Sequence, residues 1–150
     1  MAYDFPISSS QLSNLNTVTL SLTNTQIKAL NVTAVTVVAA QGAGIVIVPV
    51  QATMKMIYGG TNAFTGTPTM FIQYGTGVGT NGIFQVSSAG FWTATQNAYI
   101  IPFNTGSSLQ MNASAVENVA VMVAASSGIS GNAAANNTAE IQIMYYTIAI

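Results

Sequence analysis

The chain has 150 residues, half of them hydrophobic, with no histidine, no cysteine and a formal net charge of −1. Only Lys28, Lys55, Asp4, Glu117 and Glu140 are charged, 3% of the residues, against roughly 25% in an ordinary soluble domain. That composition excludes disulfides and thiolate metal sites, and it removes the commonest general base and metal ligand.

The functional consequences follow from the same count. Two lysines and no arginine argue against binding nucleic acid or anionic lipid, because each phosphate contact wants a cation. A serine nucleophile would need Lys28 or Lys55 as its base, and neither sits in a motif of that kind. A glycosidase needs two carboxylates flanking one bond, and a calcium site gathers several. Asp4 lies near the terminus, while Glu117 and Glu140 read as solvated strand ends. No catalytic, cofactor-binding or metal-binding residue is therefore assigned, and a non-enzymatic protein is expected. A net charge this small disfavours a free, dispersed monomer. The chain is expected to pack against copies of itself or against other proteins.

Residues 1–16 are rich in Ser and Asn, with Tyr3, Phe5 and Ile7 as alternating apolar points. They read as an extended N-terminal arm that adds to a sheet edge or reaches a neighbouring subunit, or else as a frayed terminus. The start Met1-Ala2-Tyr3-Asp4-Phe5-Pro6 has neither a basic nor an apolar leader region, so no secretory signal is expected. Residues 17–150 read as a single domain. Within it, Val18, Leu20 and Leu22 alternate with Thr17, Thr19 and Ser21, which predicts a half-buried strand. Asn24 and Thr25 suggest a turn, and residues 26–32 suggest a further strand, with or without a bend.

Residues 33–58 organise the rest. They read as two strands joined in a hairpin at Gln41-Gly42-Ala43-Gly44, whose glycines permit positive φ. After the turn, Val46, Val48, Val50, Ala52, Met54, Met56 and Tyr58 share one apolar face, predicted to face the core. Pro49 cannot donate to a ladder and predicts an edge position or a bulge. The most apolar window, residues 34–50, is broken by Gln41, Gly42, Gly44 and Pro49, so a membrane-spanning helix is not expected.

Residues 59–68 form a loop with Phe64 as its expected anchor, followed by a strand over 69–74. The run Gly75-Thr76-Gly77-Val78-Gly79-Thr80-Asn81-Gly82 invites a phosphate-loop reading. No Lys-Ser/Thr and no helix follow it, so a hairpin tip accounts for it better. Residues 83–86 form a short strand. Phe91 and Trp92, the only Trp, read as a core plug. Strands follow over 99–103 and 118–125, with weak alternation over 109–113 between them. Residues 126–138 read as a long mobile loop, and 139–150 as a closing strand. In that strand Ile141, Ile143 and Tyr145 face one way, and Met144, Tyr146, Ile148 and Ile150 the other. Both faces are apolar towards the end, which marks burial inside the fold or at a contact between subunits. Asn31, Asn112 and Asn136 begin Asn-x-Ser/Thr triplets. With no leader they are not read as glycosylated.

About eight to ten strands and no convincing helix predict an all-β fold, an antiparallel β-sandwich of jelly-roll type. Several short runs then point further. Residues 29–50 read A-L-N-V-T-A-V-T-V-V-A-A-Q-G-A-G-I-V-I-V-P-V, and M-K-M-I-Y-G-G follows at 54–60. Met70-Phe71-Ile72-Gln73-Tyr74-Gly75, Glu117-Asn118-Val119-Ala120 and the strand over 141–148 complete the set. This pattern resembles small virion structural proteins of tailed bacteriophages. Ile45 departs from it, standing where a basic residue is usual.

The resemblance implies a jelly-roll-like sandwich that forms homotrimers and decorates or cements the capsid exterior by binding the major capsid protein. No cofactor, nucleic acid or membrane is implied. Under that reading the protein contacts fall on Tyr3, Phe5 and Ile7 of the arm and on Met144, Tyr146, Ile148 and Ile150 of the closing strand. A second reading is a receptor- or glycan-binding module of a tail fibre or baseplate, with Trp92, Tyr99 and the loops at 59–68 and 75–82 as its rim.

Overall fold

The computed structural model describes residues 15–79, 82–102 and 112–150. In chain order the elements are β1 (Asn16–Leu22), α1 (Asn24–Ala29), β2 (Val35–Val38), β3 (Ile45–Ile57), β4 (Phe64–Thr65), β5 (Thr69–Tyr74), β6 (Gly82–Ser87), β7 (Ala98–Ile100), α2 (Ala113–Val116), β8 (Val121–Ala125), β9 (Ser130–Gly131) and β10 (Thr138–Ala149). One four-stranded sheet runs β1-β10-β3-β7 and the other β2-β8-β5-β6. The two-residue strands β4 and β9 pair separately.

The pairing itself defines the fold. With β4 and β9 set aside, the first strand pairs with the eighth and the second with the seventh. The third pairs with the sixth and the fourth with the fifth. The chain is thus one long antiparallel hairpin. It is rolled so that β10 also pairs with β3, and β8 with β5. That is a jelly roll. The predicted arm and its residues Tyr3, Phe5 and Ile7 lie outside the described residues.

The two sheets enclose a common core. Leu22, Met54, Met56, Ile141 and Ile143 face Met70, Ile72, Val121 and Val123 across it, all buried. Each such side chain contributes about 1.5–3 kcal/mol by leaving water. Trp92 and Phe91 plug one region, as expected, and Phe64 is the buried anchor of its loop. The Trp92 ring meets Phe64 edge-on at 5.7 Å and Phe91 at 4.7 Å.

Several sequence expectations are corrected. Residues 24–29 form a helix, not a turn and strand. Thr23 Oγ1 accepts from the Gln26 N–H at 3.3 Å, while Gln26 Oε1 accepts from the Thr23 N–H at 2.9 Å. A reciprocal capping box of this kind satisfies two orphan donors and favours a helix start, and burial of Ile27 and Leu30 holds the helix down.

The Gln41-Gly42-Ala43-Gly44 turn has the positive φ angles expected at both glycines. It does not close a hairpin. β2 pairs with β8 and β3 with β10, so the turn carries the chain from one sheet to the other. The bulge expected at Pro49 is present. Met144 faces Gln51 while Tyr145 faces Pro49, which leaves Val50 as the extra residue. The bulge reverses the faces of β3. Ile47 and Pro49 point inward before it, and Ala52, Met54 and Met56 after it. Val48 and Val50 therefore leave the core face predicted for them.

Candidate functional surface

Two of the motifs that carry the resemblance meet in space. Gly44 N–H donates to Glu117 Oε1 at 2.6 Å, and Gly42 N–H donates to Asn118 Oδ1 at 2.9 Å. The Asn118 N–H returns a bond to the Ile45 carbonyl at 2.9 Å, and Ile150 N–H donates to the Gly44 carbonyl at 2.9 Å. Glycines in left-handed conformations turn successive N–H groups to one side, and the Glu-Asn pair receives them. Glu117 is therefore a clamp on the inter-sheet turn, not a solvated strand end. The clamp fixes where β3 begins and where the chain leaves β10.

That placement sets up the outer face of the β1-β10-β3-β7 sheet. Residues in register form rows across the strands. Ser21, Glu140, Lys55 and Tyr99 make the first row, Thr19, Gln142 and Thr53 the second, and Thr17, Met144 and Gln51 the third. Beyond the bulge, Tyr146 lies opposite Val48, and Ile148 opposite Val46. The face thus grades from charged, through hydroxyl and amide, to apolar. At the apolar end Val50 is 45%, Ile148 42% and Ile150 59% exposed, with Met144, Tyr146 and Val48 half-buried.

The four closing-strand residues singled out in the sequence, Met144, Tyr146, Ile148 and Ile150, share this one face. Val48 and Val50 join them, which the sequence reading missed because it carried a single alternation through Pro49. The bulge expected at Pro49 was the signal that could have found them.

Among the described residues, those named for a glycan rim do not come together. Trp92 is fully buried, with its Nε1–H directed at Met70 Sδ at 3.4 Å. Tyr99 is 72% exposed but lies on the sheet face. The glycine-rich segment is wound around a buried amide. Gln73 Nε2 donates to the Gly75 and Gly77 carbonyls at 3.0 and 2.7 Å, and its Oε1 accepts from Gly79 N–H at 2.9 Å.

Residues 126–138, read as a mobile loop, carry β9 and a buried asparagine cluster. Asn132 Oδ1 accepts from Asn24 Nδ2 at 2.6 Å and from Asn137 N–H at 3.0 Å. Its Nδ2 donates to the Thr61 and Asn62 carbonyls at 2.7 and 2.6 Å. Asn137 Oδ1 accepts from Gly59 N–H at 2.8 Å, and Asn136 Nδ2 donates to the Gly59 carbonyl at the same distance. These side chains replace a ladder by pinning loop to loop. Among the described residues there is no cluster of three potential metal ligands, and no helix long and apolar enough to cross a membrane.

No protein-family model matches the chain, and no curated protein matches it. Among solved structures it is similar to a chain of the cyanophage Pam1 capsid asymmetric unit, at 14% identity and a TM-score of 0.45, covering 88% of this chain and 82% of that one. A chain of the Ralstonia phage GP4 capsid is similar at 16% identity and a TM-score of 0.41, with the same coverage. A chain of Israel acute paralysis virus is similar at 9% and 0.34, covering all of this chain and 80% of that one. These likenesses are distant, and the jelly-roll assignment rests on the strand pairing.

Proposed function

We propose that this chain is a non-enzymatic virion structural protein that decorates and cements a bacteriophage capsid, on its exterior, by binding the major capsid protein lattice. The observation that carries the reading is the apolar end of the outer sheet face, where Met144, Tyr146, Ile148 and Ile150 stand beside Val48 and Val50 without a charge among them. A patch of this kind suits contact with another protein. A chain of net charge −1 also packs many copies together with little mutual repulsion. The motifs that resemble those of small phage virion proteins support the reading, since two of them build the clamp that holds this end of the sheet.

In this proposal residues 17–150 act as one domain, and residues 1–16 as an arm whose Tyr3, Phe5 and Ile7 add to the contact. The unit is a homotrimer. Its partners are itself and the major capsid protein, with no nucleic acid and no membrane. Attachment works by buried area repeated over a lattice, so a modest interface gains by avidity.

Size-exclusion chromatography with light scattering gives the oligomer, and co-sedimentation with particles lacking the protein gives shell binding. A trimer that saturates shells at a fixed ratio is expected. Ile148→Lys should abolish shell binding while leaving the fold intact, because the position is open to solvent. Removing the first ten residues should do the same. Undiminished binding by the truncated protein overturns the arm's role, and indifference of the intact protein to shells overturns the whole reading.

A further inference from the structure

At the opposite, charged end of the same sheet face, Glu140, Lys55 and Tyr99 stand in one row across β10, β3 and β7. Lys55 Nζ lies 3.5 Å from Glu140 Oε2 and 6.0 Å from the centre of the Tyr99 ring. With Thr19, Thr53 and Gln142 they line a groove of about 180 Å³. The ion pair is roughly one-third exposed on both sides, so it contributes at most about 1 kcal/mol to stability. Its presence in a chain almost free of charge therefore has little to do with holding the sheet together.

The chemistry of the groove is selective. Lys55 and Glu140 neutralise each other, so neither a free anion nor a cation meets a net opposite charge. Gln142 and the two threonines offer both donors and acceptors, and the Gln142 Nε2 to Thr19 Oγ1 contact is loose at 3.4 Å. A ligand that suits this set carries hydroxyl groups that donate and accept in turn, and has no formal charge. The exposed Tyr99 ring adds an electron-rich face, which attracts polarised C–H groups. The volume is below that of a drug-sized pocket and fits a single sugar ring.

We propose that this groove binds a neutral saccharide, stacked on Tyr99 and hydrogen-bonded by Glu140, Lys55 and Gln142. The site is separate from the apolar end, and it operates whether or not the protein sits on a capsid.

The test applies biotinylated protein, tetramerised on streptavidin, to an array of neutral hexose, N-acetylhexosamine and sialylated oligosaccharides. Binding is then titrated by saturation-transfer NMR with the corresponding free methyl glycosides. Neutral glycans should bind. Tyr99→Ala should weaken them about tenfold, the loss expected for one aromatic stack, and Tyr99→Phe should retain them. Gln142→Ala should weaken them several-fold. Both positions are exposed, and unchanged circular dichroism and melting verify the folds. Absence of neutral-glycan binding by the intact protein overturns the proposal, as does binding that survives Tyr99→Ala. Preference for sialylated glycans would make this an anion site and overturn it. Loss of shell co-sedimentation in Tyr99→Ala, without glycan binding by the parent, would assign the groove to a protein contact and overturn it too.

Discussion

The Glu117 carboxylate accepts the Gly44 backbone N–H at 2.6 Å across 73 residues of sequence. Gly44 has φ of 75°, and a charged acceptor makes this among the stronger single hydrogen bonds a turn can receive. Glu117→Ala should lower unfolding free energy by about 1–2 kcal/mol and speed hydrogen exchange at the Gly42 and Gly44 amides. Glu117→Gln, which keeps an oxygen in place, should lose roughly half as much. Gly44→Ala should cost about 1–2 kcal/mol through the left-handed backbone alone, since an added Cβ meets only the Ile150 carbonyl oxygen at 3.8 Å. Urea denaturation read by fluorescence measures all three. Unaltered exchange at Gly44 in Glu117→Ala would show that the bond is not made in solution.

Asn132 ties its own loop to the Thr61-Asn62 loop and to helix α1 with one amide. Its oxygen receives two buried donors, from Asn24 and Asn137, and its nitrogen donates to the carbonyls of the exposed residues Thr61 and Asn62 and to Asn136 Oδ1. Asn132→Ala leaves the buried Asn24 and Asn137 donors without this acceptor and should cost about 2–3 kcal/mol. The left-handed backbone there, φ 42°, adds to the penalty because Asn tolerates it better than Ala. Asn132→Asp keeps the shape but turns an acceptor onto the Thr61 and Asn62 carbonyls. It should be less stable near neutral pH than in mild acid, where the protonated acid can donate. Equal stability of Asn132→Asp and the parent near neutral pH would contradict a nitrogen that donates to those two carbonyls.

Period-2 alternation made most of the fold legible. The strands at 69–74 and 83–86 and the first half of the closing strand bury side chains that alternation selects, and the strand at 121–125 buries both faces; the end of the closing strand, apolar on both faces, is exposed in the single chain. What alternation could not carry was a break in its own phase. At Val50 a single extra residue exchanges the two faces, so Val48 moved from an expected core to the outer surface. The capping box at Thr23 and Gln26 is local and readable, yet the β-rich surroundings favoured extending a strand through it. Pairing between Glu117 and Gly44, or among Asn24, Asn132 and Asn137, is set by the rolled topology and by no local pattern. The candidate surface was half legible for the same reason: Met144, Tyr146, Ile148 and Ile150 follow from one strand, whereas Val48 and Val50 follow only from its partner's bulge.

Trp92 is fully buried and is the only tryptophan, so its fluorescence reports on the core alone. Emission should be blue-shifted in the folded protein and move to the red in one step on unfolding. Trp92→Ala should cost about 3–5 kcal/mol. Trp92→Phe should cost less, because it keeps an edge for Phe64 and Phe91 while losing the contact to Met70 Sδ. Emission typical of solvent-exposed indole in the folded state would restore Trp92 to the surface.

Tyr74 joins the two sheets, because its hydroxyl on β5 donates to the Ile47 carbonyl on β3. Burial foremost, with neighbouring Tyr146 acting in the same direction, pushes the phenol from 10.0 up to about 12. The fold therefore favours the neutral phenol. Its stabilisation is complete below pH 10.0, is lost as pH rises from there to about 12, and is gone above that. The full effect is on the order of 2 kcal/mol. Tyr74→Phe should be about 1–2 kcal/mol less stable at neutral pH, because the hydrogen bond is gone. The parent's advantage should then shrink across the alkaline window, since only the parent has this proton to lose. The difference between the two urea-denaturation series isolates Tyr74. A difference that stays constant through the window would show that the hydroxyl titrates normally. Tyr146→Phe removes the second contribution. The loss should then still begin near the ordinary phenol value but finish at a slightly lower pH and be smaller in total, which separates the effect of Tyr146 from that of burial.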